Sequence, residues 1–323
     1  MSPDTPYPSL NTLAVVLEKP EQLVLSRLDL SAPGEEDVVV EMEWSGISTG
    51  TERLLWSGRM PAFPGLGYPL VPGYESVGRI THAGTRAARQ VGERVFVPGA
   101  RCFGEVRGLF GGAAARVVVP GVRVTPINES MGEQGVLLAL AATAYHAVAA
   151  KNSNLPDLIV GHGVLGRLIA RLAVALGSEP SPVVWERNPN RIDGSDGYKV
   201  LHPDADGCRG YRAIYDVSGD STLLDTLIAR LAPGGEIVLA GFYSESLSFA
   251  FPAAFMREAR IRIAAEWRET DLVAVRQLVE SGRLKLDGLI THRQQARAAP
   301  AAYRTAFTDP ACLKMILDWR AHS

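Results

Sequence analysis

Leu158-Ile-Val-Gly-His-Gly-Val-Leu-Gly166 is the stretch that decides the fold. An apolar run enters it, a helix-like run from Arg167 to Leu176 leaves it, and Val183-Val-Trp-Glu186 follows. Three glycines at GxGxxG spacing therefore stand between a strand and a helix, with an acidic residue 20 positions beyond the last of them. That order predicts the opening βαβ unit of a Rossmann-type parallel sheet holding a dinucleotide. Gly161 is expected to take the tight turn, Gly163 to let the main chain approach a pyrophosphate, and Gly166 to let the helix close on the strand. His162, Val164 and Leu165 complete the same turn and belong to the expected cofactor contacts. The helix N-terminus offers free N–H groups and the positive end of its dipole to the phosphates. Glu186, at the end of the second strand, suits the ribose hydroxyls of NAD and repels a 2′-phosphate, whereas Arg187 beside it favours one. NAD is the expectation.

Strand and helix go on alternating downstream, through Ala213-Ile-Tyr-Asp-Val217, the helical Ser221 to Leu231, Glu236-Ile-Val-Leu-Ala-Gly241 and Ile261-Arg-Ile-Ala-Ala265. Upstream the texture is different. From Thr12 to about Pro120, short β-branched runs such as Asp37-Val-Val-Val-Glu-Met-Glu43 and Ala115-Arg-Val-Val-Val119 are punctuated by Gly and Pro, which predicts a compact barrel-like β domain. Residues 1 to about 10 read as a loose lead-in, and Met131 to Ala150 as the first helix. The expected organisation is a β domain over 1–123 and 267–323, with the Rossmann domain over 124–266 inserted. The tail returns to the first domain.

Composition narrows the function classes. The chain has 323 residues, 46% hydrophobic and 21% charged, with net charge −2 and no long basic run, which excludes nucleic acid as a partner. No apolar stretch has the length of a membrane span, and the N-terminus lacks a signal pattern, so a cytoplasmic protein is expected. Cys102, Cys208 and Cys312 lie far apart and argue against a disulfide framework or a cysteine metal cluster.

Three further segments carry a resemblance. Gly46-Ile-Ser-Thr-Gly-Thr-Glu52 and Pro69-Leu-Val-Pro-Gly-Tyr-Glu-Ser-Val-Gly78 resemble the active-site loops of medium-chain dehydrogenases, and Ala142-Thr-Ala-Tyr-His-Ala147 resembles their helix at the nicotinamide. The resemblance covers about residues 12 to 320 and implies an α/β plus β fold: a GroES-like β-barrel domain with an inserted Rossmann-type domain. Where zinc-dependent members supply Cys and His, this chain has Ser48 and Tyr74, and the third ligand position falls near Ala139. Hydroxyls are poor Zn²⁺ ligands beside thiolate and imidazole, and alanine is none, so no catalytic metal is expected. Pro98 to Gly112, which carries four cysteines in zinc members, contains only Cys102.

A more specific resemblance lies within that superfamily. Gly46 to Gly58, Val71 to Gly78, Asp216-Val-Ser-Gly-Asp220, Glu236-Ile-Val-Leu-Ala-Gly-Phe-Tyr243, Phe249 to Arg260 and Ala264-Ala-Glu-Trp267 are similar to the 3-hydroxyethyl bacteriochlorophyllide a dehydrogenases of phototrophic bacteria. The resemblance implies NAD-linked oxidation of a hydroxyethyl group on a chlorin-type pigment to acetyl. It places Thr143, Ser218 and Gly241 among the cofactor contacts. For proton removal the candidates are Tyr74 with Thr51, then His146, with Ser48 beside them and Glu75 as organiser. A flat ring calls for an apolar pocket, for which Trp56, Met60, Phe63 and Tyr68 are the candidates, although the same side chains would equally fill a core. A zinc-free enone or quinone reductase and a non-catalytic NAD sensor are the competing readings. Contact with a membrane surface or a neighbouring enzyme, and a homodimer, are compatible with the sequence.

Overall fold

The structure, a computed structural model, describes residues 10–62 and 64–322. Most of the sequence-predicted lead-in, and Phe63, lie outside the described residues. The chain forms two compact units, one over residues up to Leu137 and from Ile290 onward, the other over Leu138–Leu289.

The first unit is built on Asp37–Ile47, an eleven-residue strand with nearly every apolar side chain buried. It pairs antiparallel with Ser76–Ala83, with Arg116–Pro120 and with the tail strand Met315–Asp318, whose register sets Met315 against Ile47 and Asp318 against Trp44. The tail therefore returns to this unit, and it brings Lys314 to the end of Asp37–Ile47. His292–Gln295, Arg94–Val97 and Thr125–Pro126 complete a seven-stranded sheet. A second sheet has four strands, Gln22–Asp29, Asn11–Lys19, Leu70–Val71 and Arg107–Gly108. The two sheets share a core and one isolated bridge, Ala14 to Ala114. Among the described strands the ladder does not close, so the unit is a pair of sheets where the sequence suggested a barrel; two-residue strands such as Leu70–Val71 leave the ladder interrupted there.

The second unit has a six-stranded parallel sheet in the order Lys199–Leu201, Val183–Trp185, Leu158–Val160, Tyr211–Asp216, Leu231–Leu239, Arg260–Ile263. Leu158–Val160 is central and buried throughout, which explains its unbroken apolar run. Successive strands step outward in opposite directions on either side of it, so the loops after Val160 and Asp216 lie at the topological switch point. Val164–Ala175 is the helix leaving the glycine turn. No helix among the described residues is long and apolar enough to cross a membrane.

The unit boundaries differ from 123/124 and 266/267 at both ends. The stretch read as one helix from Met131 is a 3-10 segment, Glu129–Leu137, kinked internally at Gly132 with φ 49°, followed by the α-helix Leu138–Val148. The first of these packs on the β unit: a Cβ at Gly135 would stand 2.7 Å from Val77. At the other end, Glu269–Glu280 stays with the parallel sheet's unit, tied by His146 Nδ1 and Asp271 Oδ2 at 2.8 Å, while Arg171 donates to the carbonyls of Lys285 and Asp287. The predicted helix Ser221 to Leu231 contracts to Leu224–Ile228.

Candidate cofactor turn and polar cluster

Each glycine of the turn has a separate geometric reason. Gly161 has φ 106°, a region that side chains avoid. A Cβ on Gly166 would lie 1.9 Å from the Gly161 carbonyl oxygen, so helix and strand touch backbone to backbone. At Gly163 a Cβ would meet nothing within 4 Å. That residue is the N-cap of Val164–Ala175, and no side chain caps the helix, so its first N–H groups keep the capacity to bind an anion. The turn thus fits a pyrophosphate. Val164 is buried beneath it and Leu165 half-buried.

His162 points inward. Its Nδ1 donates to the Arg191 carbonyl at 2.5 Å, so Nε2 is the acceptor for Tyr198 OH at 2.8 Å. Burial pushes this imidazole down to about 4. Arg167, one residue past the glycine motif, is also buried and donates to the carbonyls of His162, Arg191 and Asp193. Together these side chains pin the loop that follows Glu186 to the back of the turn. Glu186 accepts from His162 N at 3.1 Å through one oxygen and from Asn188 N at 2.8 Å through the other, leaving each oxygen a second lone pair. Arg187 is exposed, and its charge adds to the Thr222 hydrogen bonds that hold Asp220 below the usual carboxylate range. Ser218 donates its hydroxyl and its N–H to buried Asp216 Oδ1, and Gly241 N donates to the Asp216 carbonyl. Burial raises the Asp216 carboxyl.

Two residues expected near the nicotinamide are engaged elsewhere in this unit. Thr143 Oγ1 donates to Ala139 O at 3.0 Å, inside its own helix. His146 is the tie to Asp271, whose same oxygen accepts the N–H of Arg268 at the start of the next helix. Through this contact His146 docks its helix on Glu269–Glu280.

In the first unit the structure brings Ser48 and Thr51 to Tyr74 and Glu75, two pairs that the sequence keeps more than 20 residues apart. Tyr74 OH lies 2.8 Å from Ser48 Oγ, and the Thr51 side chain bonds the same hydroxyl. The ring stands edge-on to Phe110, with centroids 5.4 Å apart. Burial, then the charge of Glu75, raises the Tyr74 phenol well above its ordinary range. It is a neutral hydroxyl at physiological pH, not a phenolate base. Glu75 is fully buried and accepts from Lys314 Nζ at 2.5 Å; its Oε1 accepts no hydrogen bond from the described residues. Gly46 makes room for this carboxylate, because a Cβ there would stand 2.4 Å from Glu75 Oε2.

Three members of this cluster escaped the sequence reading. Glu52 accepts from Ser48 N at 3.0 Å and from Tyr303 OH at 2.6 Å, and burial raises it to about 7. Lys314 had a signal: a lone charge inside Cys312-Leu-Lys-Met-Ile-Leu317, which must be paired if that strand is buried. Tyr303, within Ala299–Thr308, had none.

The loop expected to hold a pigment is packed. Met60 belongs to a small core with Leu17, Leu55, Leu70 and Leu109, against which Trp56 and Tyr68 also pack. Trp56 lies 5.7 Å from the Phe307 ring, and Tyr68 OH donates to Leu55 O. Met60 and Tyr68 thus serve the core, and Phe63 lies outside the described residues. Among the described residues no three His, Cys, Asp or Glu side chains converge in a metal-holding group.

A GroES-like β unit joined to a Rossmann-type sheet of this order defines a medium-chain dehydrogenase. Residues 34–129 match the alcohol dehydrogenase GroES-like domain family. The whole chain is 56% identical over 317 residues to the 2-desacetyl-2-hydroxyethyl bacteriochlorophyllide A dehydrogenase of Cereibacter sphaeroides, covering 97% of this chain and 99% of the relative. It is also 56% identical over 312 residues to the Rhodobacter capsulatus protein of that name, covering 96% and 99%. The chain belongs to this family of dehydrogenases. In fold it is similar to an Escherichia coli alcohol dehydrogenase complexed with NADH, with TM-score 0.82 at 23% identity and 96% and 100% coverage. A Sinorhizobium meliloti dehydrogenase bound to NADP gives TM-score 0.78 at 20% identity, with 96% and 99% coverage.

Proposed function

We propose that the protein oxidises the hydroxyethyl substituent of a bacteriochlorophyllide to acetyl, with NAD as hydride acceptor and without a catalytic metal. The observation that carries this reading is 56% identity along 97% of the chain to a dehydrogenase of that name. NAD rather than NADP rests on Glu186, whose carboxylate is held beside the glycine turn by two backbone N–H groups and repels a 2′-phosphate. When bound, NAD supplies the nicotinamide C4 that takes the hydride.

The donor set supports metal-free chemistry. Ser48 and Tyr74, the residues standing where zinc-dependent members have Cys and His, bond each other at 2.8 Å, and neutral hydroxyls bind Zn²⁺ poorly. The carbinol carbon of the proposed substrate is attached to a conjugated macrocycle, so positive charge developing as hydride leaves spreads into the ring. What the protein must supply is orientation and a route for the proton. Tyr74 fits as a neutral hydroxyl that receives the alcohol proton while releasing its own to Ser48 or Thr51, and the proton displaced from the partly exposed Thr51 hydroxyl leaves to solvent water. Glu75 holds Lys314 and fixes the backbone around the pair through Gly46 N, which donates to the Glu75 carbonyl. A homodimer accords with the open strand Arg260–Ile263, on which Ile261 and Ile263 are exposed. Turnover of a hydroxyethyl chlorin with NAD, followed by the absorbance of the macrocycle, tests the reading.

A further inference from the structure

The polar centre of the first unit holds two carboxyls and one ammonium, all buried: Glu52 is 1% exposed, Glu75 0% and Lys314 1%. An unbalanced charge in such surroundings is strongly disfavoured, so one carboxyl is driven to hold a proton. The hydrogen bonds say which. Lys314 Nζ donates to Glu75 Oε2 at 2.5 Å and to Ile47 O at 3.2 Å, so Glu75 is the carboxyl that the ammonium pairs with. Glu52 meets only neutral donors, the Ser48 N–H on one oxygen and the Tyr303 hydroxyl on the other. Burial accordingly raises it to about 7, and the charge of Glu75 acts in the same direction against the opposing bonds from Tyr303 and Ser48 and the charge of Lys314.

Glu52 is also joined to the hydroxyl pair. Its N–H donates to Ser48 O at 3.0 Å while Ser48 N–H donates to its carboxyl, so the two residues exchange bonds across the start of Thr51–Trp56. Gly50, the N-cap, provides no side-chain cap, which leaves Glu52 as the group fixing that turn. Ser48 Oγ then meets Tyr74, and Thr51, the residue before Glu52, bonds the same phenol.

We propose that Glu52 is a positioning residue for the Ser48–Tyr74 pair, and that gain or loss of its proton decides whether the pair gives or receives a proton during the oxidation. The inference rests on the dehydrogenase reading above. With Glu52 ionised, a negative charge behind the pair favours acceptance of the alcohol proton; with Glu52 neutral, that help is gone. The groups that face Glu52 are Glu75, Lys314, Tyr303 and Tyr74, and burial keeps both tyrosines protonated near neutrality.

Glu52→Gln is the informative variant, because it keeps an acceptor for Ser48 N–H and a partner for Tyr303 OH but cannot ionise. In the wild type, kcat/KM for the alcohol is expected to rise several-fold with pH through about 7; in Glu52→Gln this inflection disappears while the KM for NAD is kept. A second readout needs no turnover. With ¹³C at tyrosine Cζ, the Tyr74 signal, assigned by its loss in Tyr74→Phe, is expected to shift across about pH 7 in the wild type and to stand still in Glu52→Gln. A signal that does not move in the wild type, or that moves equally in the variant, overturns the inference. Lack of any chlorin turnover by the wild type counts against the proposed reaction instead, and leaves the tyrosine signal to decide the role of Glu52.

Discussion

Ser48 Oγ and Tyr74 OH stand 2.8 Å apart in the first unit, although 26 residues separate them in the chain. In this account they are the route by which the alcohol proton leaves. Tyr74→Phe keeps the ring against Phe110 and removes only the hydroxyl. Chlorin oxidation is expected to fall by about 100-fold, within the usual span for a lost proton-transfer group. The KM for NAD should hold, and loss of one hydrogen bond should cost about 1 kcal/mol of stability. Steady-state kinetics with a thermal melt check this; wild-type kcat in the variant removes Tyr74 from the route.

Gly163 and Gly166 are predicted to separate binding from folding. Gly163→Ala places a methyl where nothing lies within 4 Å, so melting should barely change while NAD affinity drops by about tenfold, ~1.4 kcal/mol. Gly166→Ala drives a methyl into the Gly161 carbonyl and should cost about 3 kcal/mol of stability. Calorimetric titration and melting of both variants make the comparison. Equal effects of the two on melting contradict the assignment of open space at Gly163 to a ligand.

Cofactor choice turns on Glu186. Glu186→Ala should weaken NAD by about tenfold and narrow the gap to NADP. Because the carboxylate also anchors His162 N and Asn188 N, Glu186→Gln is the sharper test: it retains an acceptor and removes the charge. NADP is expected to gain in Glu186→Gln relative to NAD. Unchanged selectivity in both variants shows that repulsion by Glu186 is not what selects the cofactor.

His162 gives a pH dependence with a definite sign. Its folded value, about 4, lies below the ordinary 6.5, so between these limits the unfolded chain binds more protons and stability falls as the pH is lowered. The stabilisation is complete above about 6.5 and is lost on the way down to about 4. Melting followed over that window should show a downward slope in the wild type that is reduced in His162→Asn. Parallel curves for the two proteins refute the buried neutral imidazole.

The glycine turn was fully legible in sequence because its requirements are local: φ at Gly161 and a backbone contact at Gly166 follow from a strand running straight into a helix. Five strands of the parallel sheet followed from the alternation of strand and helix, and the edge strand Lys199–Leu201 did not. What was not legible depends on long-range pairing. Ser48 and Tyr74 meet because Asp37–Ile47 pairs with Ser76–Ala83, Lys314 reaches Glu75 because the tail strand pairs with the same Asp37–Ile47, and nothing in Gly46 to Glu52 announces that Glu52 turns inward to Tyr303. The docking contact of His146 was hidden for the same reason, since its partner Asp271 lies 125 residues away. The aromatic loop posed a different difficulty: Trp56, Met60 and Tyr68 have the composition of a ring pocket, and the same composition fills a small core.

The central claim is metal-free, NAD-linked oxidation of a hydroxyethyl chlorin, and absorbance of the macrocycle tests it most directly. Purified protein, treated with a chelator and supplied with hydroxyethyl bacteriochlorophyllide and NAD, is expected to shift the pigment spectrum to that of the acetyl product while NADH appears in equal amount. No spectral change with NAD, or a change that stops on chelation and returns on adding Zn²⁺, contradicts the account.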